Sequence, residues 1–351
     1  MSINERINKE DFSLKYVLID DAINIIKREG NLPILCKTDV VDAFKLILIR
    51  QDHQPFYGIK WRGKYYFYRR LVFGCRSSPK IFDLLYQAVC WILTNNYGVK
   101  NVLHLLDDFL TIDSPGDEGI KTMAILTLVF KKLGIPISAK KTVGPCTVLE
   151  YLGIILDSER REARIPLEKI ERIFLLINKI KSKKSCTKRE LLSLLGHFNF
   201  AARIIPAGRS FISYLLTLAY SVRELHHHVS LNSDCKKDLN MWETFLRRWN
   251  GQSFFIDEQL STTTQLQLFT DASATHGFGA YFSGKWFQGR WPDELKNLGD
   301  DPISIALLEL YPIVVAVVIW GHEWSGKRVQ FLCDNKATVQ IIKIGDLNLQ
   351  P

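Results

Sequence analysis

The sequence lacks the cysteine pattern of a secreted or zinc-binding protein. Its seven cysteines are an odd number, lie far apart and include no C-x-x-C pair, which argues against a disulfide scaffold. They are typical of reduced, mostly buried thiols. The N-terminus also lacks a charged region followed by an apolar one, so a secretion signal is not expected. We therefore expect an intracellular protein, cytoplasmic or nuclear.

Long apolar runs are scarce as well. The most apolar stretch, Ile303 to Trp320, is interrupted by Glu309 and Pro312. Its uninterrupted part is about half of the roughly 20 residues that a bilayer requires. We expect a buried helix there and no membrane partner. The sequence also contains no internal repeat and no low-complexity tract.

The composition is that of a globular protein with more than one domain. The 351 residues are 47% hydrophobic and 24% charged, which predicts two or three packed units. The net charge is +9, and the segment 121–209 holds 18 basic residues against 7 acidic ones. A basic middle segment indicates a phosphate-bearing partner or an ordinary solvated surface, and charge alone leaves both open.

Hydrophobic periodicity and turn residues predict the elements of the first half. Aromatic and basic residues alternate around the turn Arg62-Gly63-Lys64. The predicted elements are a helix over Ile19–Arg28, β structure over Pro33–Ile49, a hairpin over Ile59–Leu71, a helix from Ser78 through Ile92, half-strands over Val102–Leu106 and Phe109–Ile112, a helix over Gly119–Leu133 and a strand over Val148–Leu156.

The second half changes character at a polar segment. Helical, Lys-rich sequence extends from Leu167 to about Trp249. The Ser/Thr-rich segment that follows is the best linker candidate. Beyond it we predict a strand over Leu266–Thr270 ending on Asp271, a Gly-rich hairpin over Gly277–Phe287, the apolar helix, and a strand over Val329–Cys333 ending on Asp334.

Three carboxylates of the first half stand at element ends. Asp39 follows a strand, and Asp107 with Asp108 occupies the tip of an apolar hairpin. Adjacent carboxylates repel each other, so this placement is poor for stability. Nucleotidyl transfer uses such a set, because two divalent ions about 4 Å apart need hard oxygen ligands from two or three aspartates. An isolated Asp-Asp pair is also common in a plain surface turn.

Five segments together resemble, in order and spacing, the palm motifs of reverse transcriptases. They are Asp39-Val-Val-Asp-Ala-Phe44, Leu71-Val-Phe-Gly-Cys-Arg-Ser-Ser-Pro79, Leu105-Leu-Asp-Asp108, Leu133-Gly-Ile-Pro-Ile-Ser-Ala-Lys-Lys141 and Tyr151-Leu-Gly153. The sequences His104-Leu-Leu-Asp-Asp-Phe-Leu110 and Tyr65-Tyr-Phe67 are most similar to those of the polymerases of DIRS-like tyrosine-recombinase retrotransposons. The resemblance covers nearly the whole chain. Leu105 and Val72 depart from the usual family residues, and neither change removes a metal ligand.

The resemblance implies a role for each matching residue. Asp39, Asp107 and Asp108 would bind metal, with the Val40 carbonyl completing one coordination shell. Phe44 would lie under the sugar and exclude a 2′-hydroxyl. The remaining implied substrate-binding residues are Gly74, Arg76, Ser77 and Ser78 beside the incoming nucleotide and template, Lys141 for departure of pyrophosphate, and Tyr151, Leu152 and Gly153 in the primer grip.

A second carboxylate series resembles that of ribonuclease H. Asp271, Glu309 and Asp334 match its Asp, Glu, Asp order, and the resemblance implies two magnesium ions at an RNA strand paired with DNA. From the residues alone, a Glu on an apolar helix is either paired in a core or a metal ligand. Since the family has a fourth carboxylate on a later helix, we expect an incomplete domain with weak or no cleavage.

The resemblance implies an α+β fold. We expect a reverse-transcriptase palm with an antiparallel sheet and helices, partial fingers and a helical thumb, followed by an incomplete ribonuclease H-like α/β domain. The expected divisions are a truncated fingers segment over 1–38, palm with fingers hairpin over 39–160, thumb and connection over 161–250, linker over 251–264 and ribonuclease H-like domain over 265–351.

The expected function is RNA-directed DNA synthesis for a retrotransposon. The alternative is a truncated, inactive element product that only binds nucleic acid. Expected partners are an RNA template, a DNA primer, an RNA/DNA hybrid and deoxynucleoside triphosphates, and the oligomeric state stays open. The expected cofactor is Mg²⁺, two ions at each site, with Mn²⁺ as a substitute.

Overall fold

The computed structural model describes residues 3–30, 32–254, 260–262, 265–293, 305–324, 328–331 and 335–339. The chain divides into two compact units. The first comprises residues 1–172 and 249–255, and the second comprises residues 173–248 and 256–351. The five-part division expected from the sequence stays a prediction.

Helices and strands are interspersed along the described chain, which confirms the predicted α+β class. The helices are α1 (Ile19–Glu29), α2 (Ser78–Tyr97), α3 (Glu118–Lys132), α4 (Leu167–Lys181), α5 (Lys188–Ala201), α6 (Ser213–Tyr220), α7 (Ser233–Trp249) and α8 (Ile305–Trp320). The strands are β1 (Ile34–Asp39), β2 (Gly58–Trp61), β3 (Lys64–Phe67), β4 (Val102–Leu105), β5 (Asp108–Asp113), β6 (Val143–Cys146), β7 (Val148–Tyr151), β8 (Ile154–Asp157), β9 (Glu162–Arg164), β10 (Ser185–Thr187), β11 (His228–Ser230), β12 (Gln252–Phe254), β13 (Leu260–Thr262), β14 (Leu268–Ser273), β15 (Gly277–Phe282), β16 (Lys285–Gly289) and β17 (Arg328–Gln330).

The first unit contains a four-stranded antiparallel sheet in the order β4-β5-β1-β6. The apolar residues of β5 are buried, because the helices α1 and α3 pack against it. Phe109 of β5 meets Phe130 of α3 edge to face, with ring centroids 5.0 Å apart. Phe82 and Tyr86 of α2 join the same core. The strands that carry the candidate site are therefore fixed by packing on helices.

The helix α2 begins where the sequence predicts and extends further. Pro79 occupies its first turn, where a missing N–H does no harm. The helix passes the predicted end at Ile92 and stops at Gly98, whose φ of +71° is left-handed. The N–H of Val99 donates to the carbonyl of Leu93 at 3.1 Å. This C-terminal cap, rather than the polar residues before it, ends the helix.

The strand expected to end in Thr38-Asp39 is β1, which ends at Asp39, whereas the β structure expected as far as Ile49 does not continue as a strand. The ladder between β1 and β5 ends at the pair Asp39 and Asp108, and beyond it the segment makes only isolated bridges, of Val40 with Ile137 and of Leu48 with Arg70. Asp42 adopts a left-handed φ of +57°, and Ala43–Leu46 form a 3₁₀ helix.

The second unit contains a helical part, as predicted, together with the small sheet β10-β11 that the sequence did not reveal. Trp242 of α7 is fully buried and stacks on Phe198 of α5, with ring centroids 4.3 Å apart. Its indole N–H donates to the carbonyl of Phe211 at 3.1 Å. This indole is the centre of the packing between α5 and α7.

The C-terminal part of the second unit contains the antiparallel sheet β14-β15-β16. The predicted Gly277–Phe287 hairpin is confirmed by β15 and β16. The helix α8 packs on this sheet through Ala316 and Trp320. By length and composition alone, the stretch Ile305–Trp324 is apolar enough to cross a membrane, and its inward face lies in the core with Phe282.

Candidate active site

The sheet of the first unit brings three carboxylates to one edge. Asp39 is the Cα partner of Asp108 in the ladder between β1 and β5. Asp107 and Leu106 form the two-residue turn between β4 and β5, in which Leu106 has a left-handed φ of +53°. The N–H of Val40 donates to the carbonyl of Asp107 at 3.0 Å. Strand register and one tight turn thus position the whole set.

Burial and like charge disfavour ionisation of Asp107 in this cluster. Asp39 is buried, and Asp107 and Asp108 are half-buried. Burial raises the pKa of Asp107, and the neighbouring carboxylates of Asp39 and Asp108 raise it further. Nearby positive charge is needed to offset this repulsion.

Two lysines supply positive charge to the cluster. Lys141 Nζ donates to Asp39 Oδ2 at 2.9 Å, and this hydrogen bond raises the pKa of Lys141. Lys37 Nζ lies 3.2 Å from Asp108 Oδ1. The Lys141 side chain is mostly exposed whereas that of Lys37 is largely buried. Lys141 can therefore leave Asp39 for solvent, while Lys37 is held in the sheet.

The donor set suits a divalent ion. Carboxylate and backbone carbonyl oxygens are ligands that Mg²⁺ prefers, and the repulsion among these carboxylates would be relieved by a divalent charge. Among the described residues, no three His, Cys, Asp or Glu side chains are gathered closely enough to hold an ion. Lys141 and Lys37 are paired with Asp39 and Asp108 instead. The residues fit a metal once the exposed Lys141 ammonium group leaves Asp39, while Lys37 stays on Asp108 Oδ1.

A cavity of about 380 Å³ opens beside the carboxylates. Its volume lies in the range of small-molecule sites, roughly 300–1,000 Å³. Its lining combines acids, ammonium groups, a hydroxyl and one aromatic ring, and consists of Asp39, Val40, Val41, Asp42, Ala43, Lys45, Phe73, Asp107, Ser138 and Lys141.

The region that holds this cavity has known relatives. The family profile described as Reverse transcriptase (RNA-dependent DNA polymerase) matches residues 3–156. This match covers less than half of the chain. The chain is 26% identical to the Pro-Pol polyprotein of Feline foamy virus over 235 residues, which are 64% of this chain and 18% of that protein. It is 23% identical to the Gag-Pro-Pol polyprotein of Human T-cell leukemia virus 3 (strain 2026ND) over 210 residues, 58% of this chain and 14% of that protein.

Solved structures share the fold over most of this chain. The foamy viral protease-reverse transcriptase dRH in complex with double-stranded DNA matches 93% of this chain and 54% of its own, with a TM-score of 0.55 and 17% identity. The foamy viral protease-reverse transcriptase in complex with RNA/DNA hybrid matches 91% of this chain and 42% of its own, with a TM-score of 0.52 and 18% identity. The chain spans less than a fifth of the two polyproteins and about half of these solved chains.

The ring that lines this cavity belongs to Phe73. Its side chain is 74% exposed, whereas Phe44 is 9% exposed and packs on Phe82 with ring centroids 4.9 Å apart. Phe44 is not among the lining residues, so its role at the sugar stays a prediction. Phe73 is not among the residues predicted from the sequence, although it directly precedes Gly74 in the loop expected beside the nucleotide.

That loop is held by the N-terminal segment. Gly74 has a left-handed φ of +82°. Asn4 accepts a hydrogen bond from the backbone N–H of Arg76 at 2.8 Å and donates to the carbonyl of Gly74 at 2.8 Å. The Arg76 guanidinium donates to the Ile7 carbonyl at 2.7 Å. Ser77 and Ser78 are both buried. In this arrangement the loop is braced, and none of its four predicted residues lines the cavity.

The predicted primer-grip segment forms the turn between β7 and β8. Leu152 and Gly153 occupy it with left-handed φ values of +49° and +81°. Tyr151 is fully buried, and burial raises the pKa of its hydroxyl. Lys169 Nζ donates to the Gly153 carbonyl at 2.7 Å. The turn is therefore tied to the start of α4, while Tyr151 anchors it in the core.

Lys37 is also not among the residues predicted from the sequence. A charged residue two positions before Asp39 on an otherwise buried strand was the available signal. Only the register, which pairs Lys37 with Leu110 across the ladder, places it diagonally from Asp108.

The second carboxylate series is described only in part. Asp271 lies within β14, which continues to Ser273 and so does not end on Asp271 as predicted. It lines a cavity of about 540 Å³ together with His276 and Arg290, and Glu309 of α8 is not among the lining residues. The predicted Asp334 lies outside the described residues. The proposed nuclease ligands therefore remain a prediction.

Proposed function

We propose that this chain is an RNA-directed DNA polymerase of a retrotransposon, similar to the DIRS-like elements that its motifs resemble. The observation that carries the proposal is the meeting of Asp39, Asp107 and Asp108 at one sheet edge beside a cavity of about 380 Å³. The family match over residues 3–156 supports it. Relatives solved with double-stranded DNA and with RNA/DNA hybrid support the same class of partner.

Mg²⁺, or Mn²⁺ in its place, would be held by Asp39, Asp107, Asp108 and the Val40 carbonyl. Two such ions supply activation of a primer 3′ hydroxyl and stabilisation of charge on the α-phosphate and the leaving pyrophosphate. Lys37 keeps the Asp108 carboxylate in place through its ion pair.

The chain's other cavity residues would bind the deoxynucleoside triphosphate. Lys45 and Lys141 line the cavity and offer ammonium groups to phosphate oxygens. Phe73 offers an apolar wall to the sugar or base. The RNA template and DNA primer would be attracted by the excess of basic residues in the segment 121–209.

The C-terminal part is proposed to be ribonuclease H-like. Three antiparallel strands followed by an apolar helix support this, with Asp271 on the first strand and Glu309 on the helix. Cleavage of a labelled RNA strand in an RNA/DNA hybrid, compared between the wild-type chain and Asp271→Asn, tests the assignment. Equal cleavage by both proteins would refute the role of Asp271.

The polymerase proposal is tested by primer extension on an RNA template with Mg²⁺. The matched control is the double variant Asp107→Asn, Asp108→Asn, which keeps side-chain size and removes charge. Because metal ligands contribute several kcal/mol to the transition state, we expect its rate to fall about a thousandfold. Extension by the double variant at the wild-type rate would refute the proposal.

The second candidate is a nucleic-acid-binding chain without catalysis. The pairing of Asp39 with Lys141 and of Asp108 with Lys37 favours it, because both ligands are engaged. Filter binding of a primer-template across a salt series, run beside the extension assay, distinguishes the two. Salt-dependent binding without extension supports this candidate.

A further inference from the structure

The hairpin of β2 and β3 presents large side chains to solvent. All eight residues of the two strands are exposed. Tyr65 is 80% exposed and Phe67 is 57% exposed, and Trp61 and Tyr66 are exposed with them. Contiguous exposed apolar surface on a soluble protein marks a binding site.

The charge around this hairpin is of one sign. From His53 to Phe82 the sequence contains no Asp or Glu. The same segment contains the basic residues Lys60, Arg62, Lys64, Arg69, Arg70, Arg76 and Lys80. Lys60 Nζ lies 5.2 Å from the centroid of the Tyr65 ring, so ring and ammonium group form one surface. The surface therefore suits a polyanion that also carries flat apolar groups.

The strand register decides which rings share a face. Tyr65 lies opposite Lys60, and Phe67 lies opposite Gly58. Since side chains alternate between faces, Tyr65 and Phe67 are on the same face, two residues apart. Gly58 has no side chain, so the surface beside Phe67 is open.

The distance between the two rings along the strand leaves room for one stacked nucleic-acid base. Two residues advance about 6.7 Å along a strand. This is about twice the 3.4 Å rise per nucleotide of a stacked strand. One unpaired base can therefore stack between Tyr65 and Phe67 while its phosphates meet the basic residues. A base-paired strand cannot use this slot, because its bases are already stacked and paired.

The base of the hairpin is joined directly to the candidate active site. The N–H of Ile49 donates to the Arg69 carbonyl at 2.9 Å, and the N–H of Leu71 donates to the Ile47 carbonyl at 3.0 Å. Lys45 lies two positions before Ile47, and Phe73 lies two positions after Leu71. Both residues line the cavity. A strand bound on the hairpin is thereby directed to the cavity.

We propose that the β2–β3 hairpin binds the single-stranded part of the template, with one unpaired base stacked between Tyr65 and Phe67. This inference rests on the proposed function and deepens it by naming how the unpaired strand is held. An anionic membrane would also meet the positive charge. The one-base ring spacing and the direct link to the cavity favour single-stranded nucleic acid.

Fluorescence anisotropy with a labelled 20-nucleotide single strand and a duplex of equal length tests the proposal. The measurements use the full chain in EDTA. Tyr65→Leu and Phe67→Leu keep apolar bulk and remove the ring, Tyr65→Phe keeps the ring, and Trp286→Leu removes an exposed ring of the C-terminal sheet as a control. We expect about tenfold weaker single-strand binding for each of the two hairpin leucine variants, with wild-type binding for Tyr65→Phe and Trp286→Leu.

The salt dependence separates ring from charge. The two hairpin leucine variants should keep the wild-type slope of log affinity against log salt, because no phosphate contact is lost. The variant Lys60→Gln should lower that slope by about one unit, because Lys60 lies opposite Tyr65 on the same face. Thermal unfolding followed by circular dichroism checks that each variant is folded. If a leucine variant does not fold, Tyr65→Trp, which enlarges the ring, should bind the single strand at least as well as wild type.

Three results would overturn the proposal. The first is that both hairpin leucine variants bind the single strand as tightly as the wild type does. The second is that these variants lose single-strand and duplex binding equally. The third is that they lose binding only to vesicles of phosphatidylcholine and phosphatidylserine, measured in the same way. Binding is measured in EDTA, so it does not depend on catalysis. A chain that binds the single strand through the two rings but does not extend primers would therefore contradict only the polymerase proposal. Primer extension without ring-dependent binding contradicts only the hairpin proposal.

Discussion

Phe73 lies edge-on to Phe44, with the two ring centroids 5.0 Å apart and the ring planes at 66°. Phe44 continues inward to Phe82, whereas Phe73 lines the cavity beside Asp39. The two rings therefore have different roles beside the cavity. Phe73 contacts whatever occupies the cavity, and Phe44 supports Phe73 from the core.

This difference in role predicts that truncating Phe44 changes mainly stability, whereas truncating Phe73 changes mainly substrate binding. Phe44→Ala should lower the free energy of unfolding by about 3–5 kcal/mol, since it leaves a cavity in the core. Phe73→Ala should change it by less than about 1 kcal/mol and raise the KM for deoxynucleoside triphosphates roughly tenfold. Urea unfolding and steady-state primer extension measure the two effects. Equal destabilisation by both variants would show that Phe73 is also a core residue.

The sequence predicted what depends on local signals. Asp107 with Asp108 was found because two carboxylates interrupt an apolar hairpin, and the start of α2 was found because Pro79 marks a first turn. The end of α2 was misplaced because the left-handed cap at Gly98 satisfies carbonyls that polar residues before it do not.

The missed residues depend on contacts distant in sequence. Lys37 reaches Asp108 only because β1 and β5 pair in one particular register. Phe73 is exposed only because Phe44 already fills the adjoining space in the core. Neither contact can be predicted from a local sequence pattern, because each depends on how strands and loops tens of residues apart are placed.

The contact between Lys141 and Asp39 predicts a change in metal dependence. The ammonium group competes with a cation for the Asp39 carboxylate, so Lys141→Met should lower the Mg²⁺ concentration at half-maximal primer extension. Because the Lys141 ammonium group is exposed and screened by solvent, the ion pair is weak, and the shift should be at most about fivefold. Lys140→Met is the matched control, because it removes a neighbouring ammonium group. An unchanged midpoint for Lys141→Met would contradict the competition.

Arg164 compensates two buried carboxylates in the first unit. Its guanidinium donates to Asp157 Oδ2 at 2.9 Å and also pairs with Glu162, and both acids are buried. Arg164→Met should therefore lower the free energy of unfolding by about 3–5 kcal/mol, because it leaves buried charges unpaired. The exposed Arg160→Met should stay within about 0.5 kcal/mol. Urea unfolding at neutral pH compares them, and a similar small effect of both substitutions would contradict the pairing.

Asp238 of α7 makes stability depend on pH. Burial raises the pKa of this carboxyl to about 6, partly offset by hydrogen bonds from the backbone of Tyr214 and Leu215, and Asp234 raises it further. The unfolded chain has a value of about 3.9. Since the folded state holds the proton more tightly, the stabilising contribution is complete below pH 4 and is lost as pH rises through 6.

The matched variant is Asp238→Asn, which cannot titrate. Relative to this variant, the wild-type chain should lose about 2 kcal/mol of unfolding free energy between pH 4 and pH 7. Urea unfolding at both pH values gives the difference, in which the titration of all other groups cancels. A constant difference across that range would show that the pKa of Asp238 is not raised.

Two glycines of the second unit predict opposite responses to alanine. A Cβ added to Gly208 would lie 2.5 Å from the Trp242 ring. That ring cannot move away, because it stacks on Phe198 and its N–H is bonded to the Phe211 carbonyl. Gly208→Ala should therefore destabilise the fold by about 1–3 kcal/mol through overpacking.

Gly196 lies inside α5, where an added Cβ meets no atom within 4 Å. Gly196→Ala should raise the free energy of unfolding by about 0.5–1 kcal/mol, because alanine loses less conformational entropy in a helix. Thermal and urea unfolding of both variants test the pair. A stabilising Gly208→Ala would mean that the Trp242 ring has room to shift, and the stack on Phe198 would then not be the rigid centre of this helical packing.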